Sequence, residues 1–147
     1  DSLTVTGTHG IPVVADTLFA QCDYADAALL FLPGGLPGAT NLEAHEGLNA
    51  LLQAKAQEED VVLSAICAAP LVLGGLGLLQ GKQATCYPGC EDGMGSAVML
   101  EGKAAVRDGL IVTGTSAGCA IPFGLALIEA LKGKAEADRI ATQIVIR

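Results

Sequence analysis

Five cysteines are spread along the 147 residues, and one of them, Cys67, stands where a strand pattern turns into a helix pattern. Before it, residues 61–66 form a β-branched, apolar run typical of a strand buried on both faces. After it, Pro70 is the residue type favoured in the first turn of a helix. A sharp strand-to-helix turn exposes the side chain at its corner, so a thiol placed there indicates nucleophilic chemistry.

The residues around Cys67 fit such a nucleophile elbow. Ala65 and Ala69, two positions to either side, are small enough to let the strand and the helix pack closely. The unpaired amides and the positive dipole end of a following helix favour a thiolate over a thiol. We therefore expect Cys67 to be the reactive cysteine. The alternative is one more small buried side chain, the usual state of a free cysteine.

The other cysteines predict neither a disulfide framework nor a metal site. Their total is odd, their spacing is wide, and a chain of this length has core enough without cross-links. Cys86 and Cys90 are spaced like a metal-binding pair, but no second pair or histidine follows at the distance of a zinc site. We predict no metal, no cofactor and a reducing, cytoplasmic setting.

The composition is that of an ordered α/β domain and argues against several classes of protein. The chain is 51% hydrophobic and only 3% aromatic, with nineteen glycines and a net charge of −8. The negative charge and the lack of base-stacking side chains argue against nucleic acid as a partner, and the charge also argues against an anionic membrane. The apolar run 27–32 is too short to span a bilayer.

That apolar run predicts a second buried strand, and it stops abruptly at Pro33 and two glycines. Gly34 and Gly35 leave backbone amides exposed at its carboxyl end. In doubly wound folds, ligands bind at the carboxyl ends of the strands.

Helix and strand patterns alternate along the rest of the chain. Apolar positions recur at helical spacing within 48–56 and predict a surface helix with Lys55 on its polar face. Asp108-Gly109 between two strand-like runs predicts a two-residue hairpin turn. Residues 121–131 predict a long helix. This alternation predicts a doubly wound α/β domain, with a mostly parallel sheet covered by helices on both faces.

Six short motifs together resemble the ThiJ/PfpI superfamily, closest to the branch of the parkinsonism-associated protein deglycase and its bacterial relatives. They are Leu-Pro-Gly-Gly at 32–35, Asn-Leu at 41–42, Ala-Ile-Cys-Ala-Ala-Pro at 65–70, Tyr-Pro at 87–88, Asp-Gly-Leu-Ile-Val-Thr at 108–113 and Ala-Leu-Ile-Glu-Ala-Leu at 126–131. The resemblance covers essentially the whole chain. It implies a flavodoxin-like sandwich of the class I glutamine amidotransferase type, usually a homodimer, and makes residues 1–147 a single domain of this family.

The resemblance also implies a set of site residues. Cys67 would be the easily oxidised catalytic nucleophile, facing the backbone amides of Gly34, Gly35 and Ala68. Tyr87 takes the place of a histidine in some relatives, and its hydroxyl is a secondary candidate as a hydrogen-bond donor. The family's glutamate partner of the cysteine has no match here. We expect it in a missing N-terminal strand-helix-strand segment of about forty residues, packed against the elbow strand.

The activities implied are cofactor-independent glyoxalase chemistry on methylglyoxal-type aldehydes and deglycation of early glycation adducts, with a role in oxidative-stress protection. The alternative is a non-enzymatic redox sensor or chaperone acting through oxidation of Cys67. A cysteine peptidase is less favoured, because it needs an imidazole beside the thiol. Peptidases of this superfamily carry that histidine at the position of Ala68, and His9 and His45 lie in a predicted surface turn and a predicted helix start.

Overall fold

The computed structural model describes residues 2–146, and a mainly parallel sheet runs through their middle. The strands and helices follow in this order: β1 Thr4–Thr6, β2 Pro12–Val14, β3 Leu29–Leu32, α1 Gly38–Glu43, α2 Glu46–Lys55, β4 Val62–Ile66, α3 Pro70–Gly75, β5 Gln83–Ala84, β6 Val98–Met99, β7 Ala105–Asp108, β8 Ile111–Gly114, α4 Ala120–Lys132 and α5 Lys134–Gln143.

The central sheet has the strand order β3-β4-β8-β7. β3, β4 and β8 run parallel, and β7 is antiparallel to β8. The elbow strand β4 is therefore paired on both sides, which corrects the expectation that a further segment packs beside it. Within residues 2–146 the strand with an unpaired edge next to the site is β3.

Helices cover the two faces of this sheet. On one face, Leu52 of α2 and Leu73 of α3 pack with Leu63 of β4 in the larger core cluster. On the other face, Phe123 of α4 packs with Val112 of β8. Burying each large apolar side chain contributes about 1.5–3 kcal/mol. The predicted fold class, an α/β sandwich with a mostly parallel sheet, is confirmed.

The hairpin between β7 and β8 differs from the prediction by one residue. Asp108 pairs with Ile111, so the two-residue loop is Gly109-Leu110 and not Asp108-Gly109. Gly109 has a φ of 63°, in the left-handed region that favours glycine. The glycine thus takes the first loop position, while the Asp108 carboxylate accepts a hydrogen bond from the Gln83 amide at 2.9 Å.

Lys55 is the second difference, because its side chain is buried and not on a polar face. Lys55 is 5% exposed and follows Leu48 and Leu52 at helical spacing on the inner side of α2. Its ammonium donates hydrogen bonds to the Ala25 carbonyl and the Glu58 carboxylate, both at 3.1 Å. The apolar stem of Lys55 lies along the core, and the Glu58 carboxylate neutralises its ammonium charge at the edge of the core.

Outside the central sheet, β1 and β2 form a small antiparallel hairpin, and β5 and β6 form a two-stranded parallel pair. Both strands of the first hairpin are exposed along their length. None of the helices within residues 2–146 has the length and apolar character that crossing a bilayer requires.

Candidate active site

Cys67 lies at the turn between β4 and α3, in a backbone conformation that non-glycine residues rarely adopt. Its φ is 66°, which costs an L-residue about 1–2 kcal/mol. Two backbone hydrogen bonds hold it there: its amide donates to the Gly114 carbonyl at 2.9 Å, and its carbonyl accepts from the Tyr87 amide at 2.8 Å. The nucleophile-elbow geometry predicted from the sequence is confirmed.

Gly34 touches the elbow so closely that a side chain would not fit. A Cβ built on Gly34 would lie 2.5 Å from the Cys67 Cβ, 2.7 Å from the Ile66 carbonyl oxygen and 3.3 Å from the Cys67 Sγ. The loop after β3 therefore packs directly against the thiol. Gly35 follows with a φ of 97°, again a conformation suited to glycine, and faces open space.

Three amides near the thiol are free to bind an anionic oxygen. Within residues 2–146, the backbone amides of Gly34, Gly35 and Ala68 donate no hydrogen bond to another protein group. Ala68, next to the thiol in the chain, is only 3% exposed. Unpaired donors beside a nucleophile are the parts of an oxyanion-binding site.

A tight turn carries the next residues past the elbow. Tyr87 and Cys90 are joined by a hydrogen bond from the Cys90 amide to the Tyr87 carbonyl at 3.0 Å. Pro88 and Gly89 fill the two central positions, with Gly89 at a φ of 94°, the sequence and conformation of a type II turn. The Glu91 carboxylate accepts from the Gly89 amide at 2.7 Å and closes the loop. The Tyr87 ring is half-exposed, and its role as a donor stays a prediction.

This turn brings two more thiols towards Cys67. Cys86 is 5% exposed, and its burial, reinforced by the charges of Glu91, Cys90 and Cys67, raises its pKa to about 11. Burial also raises the pKa of the half-buried Cys90 thiol, with the charges of Cys67 and Glu91 adding to the effect. The clustering of three cysteines around the elbow could not be recognised from their spacing in the sequence.

We predict that Cys86 resists alkylation in the folded protein. With a pKa of about 11, roughly one Cys86 in a thousand is a thiolate at pH 8, and burial hinders access as well. Native-state labelling with iodoacetamide, followed by peptide mass spectrometry, should leave the Cys86 peptide unmodified at pH 8 and modify it as the pH approaches 11. Equal labelling rates at pH 8 in buffer and in concentrated urea would contradict this.

The two histidines lie where the sequence placed them. His45 begins α2, and its Nδ1 accepts from the Leu48 amide at 3.0 Å. His9 lies in the turn between β1 and β2, but it also lines a cavity of about 550 Å³ together with Gly34 and Gly35. The sequence predicted a surface turn for that histidine, and the hairpin places it beside the glycine loop. Thr8 fixes the hairpin there by donating to the Leu36 carbonyl at 2.8 Å.

Neither a metal nor a carboxylate partner accompanies the thiol in the part of the chain described. Residues 2–146 contain no group of three histidine, cysteine, aspartate or glutamate side chains that could hold a metal ion. No side chain among the same residues makes a hydrogen bond to the Cys67 Sγ. Among the described residues, the cysteine is thus positioned by backbone hydrogen bonds and by packing against the core cluster that contains Ile66 and Phe123.

Known proteins are similar to this chain in both sequence and architecture. The family model described as the DJ-1/PfpI family matches residues 1–130. The chain is 40% identical to Protein DJ-1 homolog A of Arabidopsis thaliana, covering 97% of this chain but 37% of the plant protein, and so spans little more than a third of that relative's length. It is 31% identical to the isonitrile hydratase of Pseudomonas putida, over 98% of this chain and 62% of that enzyme.

A solved structure extends the similarity to three dimensions. Oxidized DJ-1 of Toxoplasma gondii superposes with a TM-score of 0.89 at 34% identity, over 99% of this chain and 78% of that chain. The cysteine elbow, the glycine loop against it, the family match over most of the sequence and the shared fold agree. The chain therefore belongs to the DJ-1/PfpI family.

Proposed function

We propose that the protein uses Cys67 as a nucleophile towards the carbonyl carbon of small aldehydes, in cofactor-independent glyoxalase or deglycase chemistry that protects against oxidative stress. The observation that supports this most directly is the strained elbow, with Cys67 held at a φ of 66° against Gly34. Strain of this kind persists where the surrounding structure enforces it, and it is concentrated at functional sites.

The proposed first step is addition of the Cys67 thiolate to the aldehyde carbon of an α-dicarbonyl such as methylglyoxal. A carbon–sulfur bond forms, and the carbonyl electron pair moves to the oxygen. The unpaired amides of Gly34, Gly35 and Ala68 are the donors that would bind this oxyanion. A base then moves the proton from the former aldehyde carbon to the neighbouring carbonyl carbon, whose oxygen takes up a proton, and the electron pair of the oxyanion forms the carbonyl of a thioester. Water attacks the thioester carbon and the carbon–sulfur bond breaks, which releases the hydroxy acid and restores the thiolate.

The base is proposed to come from outside these 147 residues. We propose a preceding segment whose strand pairs with the unpaired edge of β3 and whose glutamate reaches Cys67. Phe31 of β3 is 47% exposed at that edge, and the Toxoplasma structure is matched over 78% of its own length. His9, on the cavity beside Gly34, is a second candidate for proton transfer. We also propose that the protein is a homodimer.

The experiment compares methylglyoxal consumption by the whole wild-type protein with that of two serine variants. Cys67→Ser is expected to lower the rate at least about 100-fold, because a hydroxyl is a far weaker nucleophile than a thiolate. Cys22→Ser, at a half-buried cysteine remote in sequence from the elbow, is the matched control and should retain the wild-type rate. Equal rates for wild type and Cys67→Ser would refute the proposal.

An isonitrile is the second candidate substrate. A relative that is 31% identical to this chain bears the name isonitrile hydratase, and an isonitrile carbon is also open to attack by a thiolate. Running the same three proteins with an alkyl isonitrile decides between the substrates. Faster turnover of the isonitrile than of methylglyoxal would assign the site to that chemistry.

A further inference from the structure

We propose that Cys90 resolves an oxidised Cys67, forming a reversible Cys67–Cys90 disulfide that switches the site off. The inference deepens the proposed function and rests on it for the choice of Cys67 as the reactive thiol. It follows from the placement of a second half-buried cysteine by the turn that packs against the elbow.

Two short hydrogen-bonded steps connect the cysteines. The Cys67 carbonyl accepts from the Tyr87 amide at 2.8 Å, and the Tyr87 carbonyl accepts from the Cys90 amide at 3.0 Å. Beyond Cys90, the helical turn Glu91–Met94 lies directly on α3, where a Cβ on Gly74 would be 2.2 Å from the Gly93 carbonyl oxygen. The segment that carries Cys90 thus lies between the elbow and the far end of α3. A disulfide needs Cα atoms within about 7 Å, so the proposed bond requires the Pro88-Gly89 turn to bring Cys90 up to Cys67.

Cys90 is better suited to this role than Cys86. Cys86 is 5% exposed and has a pKa of about 11, so its thiolate is scarce and inaccessible. Cys90 is half-buried; burial is the main reason why its pKa lies above the ordinary value, and the Cys67 charge raises that pKa further. Conversion of Cys67 to a neutral sulfenic acid removes that charge. The Cys90 thiolate therefore becomes more abundant once Cys67 has been oxidised.

The chemistry balances with a hydroperoxide as the oxidant. The Cys67 thiolate attacks the terminal peroxide oxygen, the O–O bond breaks, and Cys67 becomes a sulfenic acid while the peroxide leaves as an alcohol or as water. The Cys90 thiolate then attacks the Cys67 sulfur, an S–S bond forms, and hydroxide leaves and takes up the proton lost by Cys90 as water. A dithiol reduces the disulfide back to two thiols by exchange.

The test treats the whole protein with hydrogen peroxide and maps its peptides under non-reducing conditions. Wild type, Cys22→Ser and Cys86→Ser should yield a linked peptide containing residues 67 and 90, lighter by two hydrogen atoms than the separate peptides. Cys90→Ser should instead accumulate sulfinic acid at Cys67. After peroxide removal, a dithiol should restore iodoacetamide labelling of Cys67 in wild type and not in Cys90→Ser. Cys90→Ala should give the same result as Cys90→Ser. Agreement between the two variants shows that the result is not due to a folding defect of the serine variant.

Two outcomes would overturn the inference. One is a linkage between Cys67 and Cys86 in wild type. The other is the same accumulation of sulfinic acid in wild type and Cys90→Ser with no linked peptide. Methylglyoxal consumption by protein that has never been oxidised is measured in parallel and tests the proposed function separately. A disulfide without aldehyde turnover would support this inference and refute the proposed function. Aldehyde turnover without a disulfide would support the proposed function and refute this inference.

Discussion

The Gly34→Ala variant is expected to lose about 100-fold in the rate of Cys67-dependent aldehyde consumption, the loss that follows from displacing reacting groups by about 1 Å. The added methyl carbon would lie 2.5 Å from the Cys67 Cβ and 2.7 Å from the Ile66 carbonyl oxygen. Neither atom is the end of a flexible side chain, so the glycine loop must move away from the elbow. Its two free amides move with it.

Gly38→Ala is the matched control for this variant. Gly38 opens α1 four residues later, has no atom within 4 Å of a built Cβ and has no positive φ. The control should keep the wild-type rate. Steady-state methylglyoxal consumption and the iodoacetamide labelling rate of Cys67 are the two measurements. A Gly34→Ala protein with the wild-type rate would mean that the loop does not contribute to the site.

Gly74→Ala is expected to lower the free energy of unfolding by about 3 kcal/mol or more, at the upper end of the usual cost of overpacking. The new Cβ would lie 2.2 Å from the Gly93 carbonyl oxygen and 2.7 Å from the Cα of Met94, which is 1% exposed. Both contacts are with backbone, so α3 and the segment after Cys90 must separate. At about 2–4 °C per kcal/mol, the melting temperature should fall by roughly 6–12 °C.

The neighbouring residue in the same helix supplies the control. A Cβ on Gly75 would meet only the end of the Glu43 side chain, at 3.3 Å, and that group can move aside. Alanine is the better helix former by up to about 1 kcal/mol, so Gly75→Ala should be neutral or slightly stabilising. Urea denaturation of both variants measures the difference. A Gly74→Ala protein within about 0.5 kcal/mol of wild type would contradict the close packing of α3.

The central strands and the elbow were predictable because each depends on a local pattern. The apolar runs that became β3 and β4 need cover on both faces whatever surrounds them, and a cysteine between a strand and a proline-initiated helix has one plausible geometry. The adjacency of Gly34 and Cys67 was expected from the family resemblance, and the parallel pairing of β3 with β4 brings the ends of the two strands side by side. The catalytic roles of these residues stay predictions.

The differences arose where tertiary contacts override the local pattern. Lys55 looked solvent-facing, but a long side chain can bury its stem and still bring its charge to the Ala25 carbonyl, a partner thirty residues away in sequence. The hairpin loop begins one residue later than predicted, because β7 extends to Asp108, which pairs with Ile111 of β8. The placement of Cys90 after the turn at the elbow and of His9 beside the glycine loop depends on two separate turns, and no periodicity in the sequence encodes either.

The conformation of Cys67 also bears on how such a sequence can change. Glycine is the residue that relaxes a φ of 66° without steric cost, so selection for stability alone favours glycine at this position. Selection for a reactive thiol favours cysteine and accepts the strain. Selection for stability and selection for reactivity therefore favour different residues at position 67. A copy of the gene released from its function would be expected to lose the cysteine early, while the sheet around it persists.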